Sequence, residues 1–295
     1  MGISKSAYRL LLEEKKKGVL KGESILQLGR QLVRFDYATL LKYAKIHGVQ
    51  LVSVEPQLSF NANFRKLGYI DDITLFKALG FKNVQSLDYS DFEGADITWD
   101  LNQPLPEKYW GKYDAVYDGG TAEHVFHFPQ VLANIHHLLK PHGVIIHVSP
   151  SHNHVDHGFY MYSPQVYFEY YSANHYTILT SQVFEFGPNP KAPWLVYPYQ
   201  PGVLDTRSSG GFGGKMLAIH MVAQKTSQST CGAIPQQGGY VKIWNTALHK
   251  PSQVKSEIGP VILLGLYLKR KIGPFLPFRL KRYLKRKKLP KYTEY

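Results

Sequence analysis

The sequence predicts an α/β protein organised on a parallel sheet, and three observations carry that expectation. Short apolar runs bounded by turn residues alternate with longer stretches of helical spacing through the first 225 residues, the pattern that strand-helix-strand crossovers impose. One of those helices, expected over 128–139, stops at Lys140-Pro141-His142-Gly143; proline cannot continue a helix, and glycine accepts the turn into the strand that follows. The 295 residues are also 44% hydrophobic and only 19% charged. That supplies a core of ordinary globular size and excludes a disordered or collagen-like chain.

The elements follow in order. Residues 4–17 set Tyr8, Leu11 and Leu12 against Glu13, Glu14 and Lys15 to Lys17, an amphipathic helix without the unbroken apolar stretch of an export signal. Strands are expected at 24–28, 84–87, 95–99, 115–117 and 144–148, and Val52-Ser53-Val54-Glu55 also reads as a strand ending in an acid. A helix then starts with Ser163 as cap and Pro164 in its first turn. Strands at 176–184 and 216–223 are consecutive and should end the sheet antiparallel. Between them, 187–214 carry Pro188, Pro190, Pro193, Pro198 and Pro201 and are expected to be irregular. The reading is a body over 1–225, a linker over 226–259 that opens rich in Ser, Gln and Gly, and a tail over 260–295.

Charge is unevenly placed. Of a net +13, eleven positive charges lie between Lys269 and Lys291, a stretch with no acid. Ile262, Leu263, Leu264, Phe275, Leu276 and Phe278 are interleaved with them or precede them, so 260–291 can lie on an anionic membrane surface from the cytoplasmic side. A nucleic-acid partner is not expected, because it would leave those apolar residues without a purpose. The longest apolar run, 261–268, is far short of the about 20 residues of a spanning helix. The lone Cys231 excludes an intramolecular disulfide and suits a reducing, cytoplasmic location.

Four motifs could carry chemistry. Leu28-Gly29-Arg30-Gln31 ends the first strand at a crossing where helix N-termini meet ligands. Asp88 closes the strand of Ser86-Leu87-Asp88-Tyr89-Ser90 and could accept both hydroxyls of a ribose; Glu55 is its rival, and by spacing the better one. Asp100-Leu101-Asn102 follows another strand, either as a turn acid or as an acceptor for an exocyclic amine. Asp118-Gly119-Gly120-Thr121-Ala122-Glu123-His124 is the most specific. Its glycines let the backbone approach a ligand, and the Glu-His pair sits at the carboxyl edge of the sheet, where His124 could take a proton from a hydroxyl.

Read together, the motifs resemble the class I S-adenosylmethionine-dependent methyltransferases, in particular a bacterial subgroup with LGRQ, SLDYSDYEGA, DLN, DGGT-EHVF, LKPGG and GHGFYQFSP patterns. Here these are Leu28 to Gln31, Ser86 to Ala95, Asp100 to Asn102, Asp118 to Phe126, Leu139 to Gly143 and His157 to Tyr160, over about residues 20 to 185. The resemblance implies a Rossmann-like sheet of seven strands, mostly parallel with an antiparallel terminal strand and helices on both faces. S-adenosylmethionine would lie across the first four strand ends, with Gly29, Arg30 and Gln31 by its methionine moiety and Asp88, Tyr89 and Ser90 at the ribose. Asp100 and Leu101 would meet the adenine, with Asp118, Gly119 and Gly120 alongside. Matching as a block, the second motif favours Asp88 over Glu55. Two departures stand out: the first loop has one glycine, and His142 replaces the first glycine of LKPGG.

The implied activity is O-methylation of a small molecule or membrane-associated glycan precursor, with Glu123 and His124 catalytic and Asn153, His157 and Tyr160 on the acceptor. The alternatives are a non-catalytic binding protein on a degenerate methyltransferase fold and an RNA-modifying methyltransferase. A metal held by His152, His154, Asp156 and His157 is not expected, since ligands so close together on a loop seldom converge.

Overall fold

The structure, a computed structural model, describes residues 2–187, 193–207, 210–249 and 293–294. In chain order its elements are α1 (Lys5–Lys16), β1 (Ser24–Leu28), α2 (Tyr37–His47), α3 (Ala62–Lys66), α4 (Asp72–Ala78), β2 (Asn83–Asp88), β3 (Ile97–Thr98) and β4 (Tyr113–Asp118). There follow α5 (Phe128–Leu138), β5 (Leu139–His152), α6 (Pro164–Ala173), β6 (Thr177–Phe186), β7 (Leu195–Pro198), β8 (Met216–Gln224), α7 (Gly238–His249) and β9 (Thr293–Glu294). The basic segment 260–291 lies outside the described residues. Among those described, no helix is long and apolar enough to cross a membrane.

The nine strands run in the order β3-β2-β1-β4-β5-β8-β6-β7-β9, two more than the seven expected. The pairings among β1 to β5 are all parallel, whereas β8 lies antiparallel between β5 and β6. Both extra strands extend the β6 edge: β7 pairs with β6, and β9 pairs with β7. The excursion expected over 187–214 therefore contains a strand, second from the end of the sheet; its one proline, Pro198, lies at the strand's end, beyond Leu195 and Val196 that pair with β9. Val52 to Glu55 form no strand, and Val52 and Glu55 are exposed. β2 and β4 already occupy both edges of β1, so no central edge is open to that segment.

Alternation divides the core into two layers, as expected of strands covered by helices on both faces. Ile25, Ala115, Tyr117, Val144 and Ile146 pack with Tyr8, Leu11, Leu40 and Phe76 from α1, α2 and α4. On the other face Leu26, Leu28, Val116 and Ile145 meet Val131 and Ile135 of α5 and Tyr167 and Tyr171 of α6. Side-chain caps set the helix starts: Ser4, Asp36, Asp71 and Ser163 each accept a first-turn backbone N–H. The expected linker is tied down along its first part. Thr230 N and Ala233 N donate to Asn174, and the carboxylate of Glu169 accepts Gly238 N at the start of α7.

Arg30 joins β1 to α4. Its guanidinium donates to both oxygens of the fully buried Asp72, at 2.7 to 3.2 Å, and lies 4.6 Å from the Phe60 ring centroid. Removing one partner of such a pair strands a buried charge. Arg30→Ala is expected to lower stability by about 3 kcal/mol in denaturant titration, and Arg30→Lys to recover only part of it, because an ammonium cannot make the bidentate contact.

His142 adopts φ 64, a left-handed conformation, while its N–H donates to Lys225 O. Its side chain is exposed, so what it contributes is mainly backbone strain. His142→Gly is expected to raise stability by about 1 kcal/mol; an unchanged or lower midpoint would show that the turn is not strained.

Candidate functional site

β1 and β4 are parallel neighbours whose connections leave toward opposite edges, so the strand order reverses between them and a crevice opens at their carboxyl ends. Gly29 lies at that point with φ 70. A Cβ on it would lie 2.8 Å from Thr121 Oγ1 and 3.6 Å from Asp88 Oδ2. Gly29 N donates to Leu87 O at 2.7 Å, and Thr121 Oγ1 donates to Leu28 O at 2.6 Å. The ends of β1, β2 and β4 thus converge on a position that only glycine fills without strain.

Asp88 is half-buried at the end of β2. Its Oδ1 accepts Tyr89 N at 2.7 Å, while Oδ2 has no hydrogen-bond partner among the described residues. Tyr89 and Ser90 are exposed beside it. Asp100 Oδ1 accepts both Asn102 N and Asn102 Nδ2, at 2.9 and 2.8 Å, which makes it the acid of a tight turn. Asn102 Oδ1 in turn accepts His127 N just before α5.

Several residues expected at the cofactor have other attachments. Arg30 is held by Asp72, as described above. Gln31 is buried, donates to Leu28 O and Gly29 O, and places its Oε1 2.4 Å from where a Cβ on Gly119 would be. Its amide therefore takes the face of Gly119 that was expected to be open to a ligand. Leu101 packs in the α5 layer. Asp118 is wholly buried: Oδ2 lies 2.7 Å from His147 Nδ1, and Oδ1 accepts Thr121 N and Ala122 N. Tyr171 OH completes the chain, 2.7 Å from His147 Nε2. Burial alone would raise the Asp118 pKa, but the His147 contact and the two backbone donors hold it below the usual carboxylate range. Neither Asp118 oxygen is left for a ligand.

The acceptor side grows out of the same turn. Ala122–His124 form a short 3-10 turn that buries Glu123 and leaves His124 exposed. Glu123 O accepts Phe159 N at 2.9 Å and Tyr160 N at 3.3 Å, which ties the loop over 154–160 onto the turn. His157 Nε2 then lies 3.5 Å, and His124 Nε2 3.9 Å, from Glu123 Oε1. Both Glu123 oxygens are buried, with no hydrogen-bond partner among the described residues. Burial, with the Asp118 charge adding to it, pushes the Glu123 pKa up, and burial pushes those of His124 and His157 down. Tyr160 OH donates to Phe126 O at 2.6 Å, and exposed Phe126 and Phe159 meet edge-on at 5.6 Å.

Asn153 does not join this group. Its amide donates to Gly213 O and Lys215 O, fastening the edge excursion instead. His152 and His154 turn toward Phe212 and Phe186. Two clefts of about 570 and 620 Å³ border Phe168 on the far side of α6, and no rim residue lines either.

Sequence reading missed Asp72 and Thr121, whose importance depends on partners more than 40 residues away, and Phe126, which it quoted without a role. No known family model matches the chain, and no curated protein matches it in sequence. Among solved structures, it is similar to a methyltransferase of Burkholderia thailandensis, the 1,6-didemethyltoxoflavin-N1-methyltransferase, which holds 1,6-didemethyltoxoflavin and S-adenosylhomocysteine. The identity is 13%, with 75% of this chain and 80% of that one covered and a TM-score of 0.36. It is also similar to a SAM-dependent methyltransferase of Aquifex aeolicus, at 11% identity, 75% and 98% coverage and a TM-score of 0.34.

Proposed function

We propose that the chain is an S-adenosylmethionine-dependent methyltransferase acting on a hydroxyl of a small molecule or glycan precursor. The observation that carries this reading is the junction at Gly29: a left-handed glycine at the reversal of strand order, with the unpartnered Asp88 Oδ2 beside it. That junction fits the cofactor. It is a cradle that a Cβ would fill, and it carries an acceptor oxygen suited to a ribose hydroxyl. Asp88 would hold the ribose, with Gly29, Gly120 and the exposed Tyr89 and Ser90 around it; Asp100 would stand at the adenine end.

S-adenosylmethionine, held by Gly29 and Asp88, would supply a methyl group activated by its sulfonium, with the sulfur keeping the bonding electron pair on transfer. The protein's part is then placement and proton removal. His124, whose lowered pKa keeps it neutral near pH 7, can accept the hydroxyl proton. Exposed Phe126 and Phe159 offer apolar faces to a ring, which supports a sugar or an aromatic acceptor. The interleaved apolar and basic residues of 260–291 support attachment to an anionic lipid surface, where a lipid-linked glycan precursor would be found. One observation favours the non-catalytic alternative: Gln31 covers the face of Gly119.

Calorimetric titration with S-adenosylmethionine separates the two readings, since heat is expected only if the junction binds the cofactor. Asp88→Ala should weaken binding about 10- to 100-fold, the loss of a hydrogen bond to a charged acceptor, while Glu55→Ala should leave it unchanged. Equal affinities for Asp88→Ala and the parent would remove the ribose assignment. His124→Ala should cut turnover at least about 100-fold with little change in cofactor affinity, as read from steady-state rates and the same calorimetry.

A further inference from the structure

We infer that Glu123, His124 and His157 bind a divalent transition-metal ion. Among the described residues they are the group whose ligand atoms come together, all within 4.8 Å of one another. The Glu123 Oε1 to His157 Nε2 and Glu123 Oε1 to His124 Nε2 distances are 3.5 and 3.9 Å. Ligands about 2.1 Å from a tetrahedral ion stand about 3.4 Å apart, so small side-chain movements close the set.

A second observation points the same way. Glu123 is wholly buried, and among the described residues neither carboxylate oxygen has a hydrogen-bond partner. An orphaned buried carboxyl is costly, and that cost is removed by a cation with two imidazoles to complete its sphere. The turn that places Glu123 is fixed independently, by Asp118 beneath it and by the two N–H groups of 159 and 160 on its carbonyl. The site is therefore built before any ion arrives. Gly158 lets the loop come this close: a Cβ there would lie 2.9 Å from Glu123 O and 3.1 Å from His124 Nδ1.

Two histidines and one carboxylate leave coordination positions open, and the side chains of His124 and His157 are 47% and 35% exposed, so the open side faces solvent. With the ion bound, an acceptor hydroxyl there would have its pKa lowered and release its proton to water; His124 would serve as proton acceptor only in the ion-free site. That role rests on the transferase reading, whereas the binding itself does not.

The untagged full-length chain, stripped with chelator and dialysed, would be titrated with Co²⁺ by calorimetry and visible absorption. One equivalent should bind and give the intense visible bands of four- or five-coordinate Co²⁺. Glu123→Gln, His124→Ala and His157→Ala should each weaken binding at least about 100-fold, while His152→Ala leaves it unchanged. His124 lies on the surface, so its variant is informative even if Glu123→Gln folds poorly. Absence of Co²⁺ binding, or binding retained by His124→Ala and His157→Ala, would overturn the site. S-adenosylhomocysteine titrated into the same samples keeps the readings apart: its binding without Co²⁺ binding sinks the metal site alone, and Co²⁺ binding without it sinks the transferase reading alone.

Discussion

Asp118 ends β4 with no exposure, and each of its oxygens is committed. One meets the His147 ring, which is locked from its far side by Tyr171; the other accepts two successive backbone N–H groups of the turn that begins at Thr121. The chain of contacts satisfies every partner when His147 donates from Nδ1 and accepts the Tyr171 hydroxyl at Nε2. Because the network is dry and complete, the turn has one conformation. Thr121 is then held over Gly29 and Glu123 is directed into the interior, so the geometry of both halves of the rim depends on one buried carboxylate.

Five residues further on, Glu123 shows the opposite case. It is equally buried and is anchored through its carbonyl, yet among the described residues neither carboxyl oxygen has a hydrogen bond, and two imidazole nitrogens stand 3.5 and 3.9 Å from Oε1. An apolar residue would fill that space at less cost. A fold that satisfies Asp118 completely thus leaves the carboxyl of its neighbour unsatisfied at the rim, next to the solvent-facing rings of His124 and His157. Functional sites are where such costs are commonly retained.

Much of the sheet was legible because its strands are buried on both faces and therefore read as compact apolar runs; the first strand was placed over 24–28, as observed. Val52 to Glu55 misled because alternation of valines records the capacity to pair, whereas pairing needs an unoccupied edge. β7 was hidden by the prolines around it, of which only Pro198 lies in the strand, at its last position. The Glu123-His124 pair was readable from two glycines at a strand end, and His157 from its motif. The function of Arg30 was not, since a guanidinium near a crevice looks the same in sequence whether it awaits a ligand or is locked to Asp72, 42 residues along the chain. The attachment of Asp118 was not legible for the same reason: its partner His147 lies on the next strand, and only the register of β4 with β5 brings them side by side.

Solvent access separates the two ends of the rim. Asp88 is half-buried with one oxygen unclaimed, among exposed residues. A carboxylate there stays hydrated until a hydroxyl-bearing ligand displaces the water, so the exchange of partners costs little. Glu123 is buried, and its carboxyl gains most from a partner bearing charge. On the proposed reading, the cofactor end would bind and release readily while the acceptor end holds its ion through repeated cycles. The single-glycine first loop accords with that division: Arg30 and Gln31 spend their side chains on Asp72, Gly119 and the backbone, and so stiffen the crevice from behind. On that reading recognition would be left to Gly29 and Asp88, at the place where three strand ends meet.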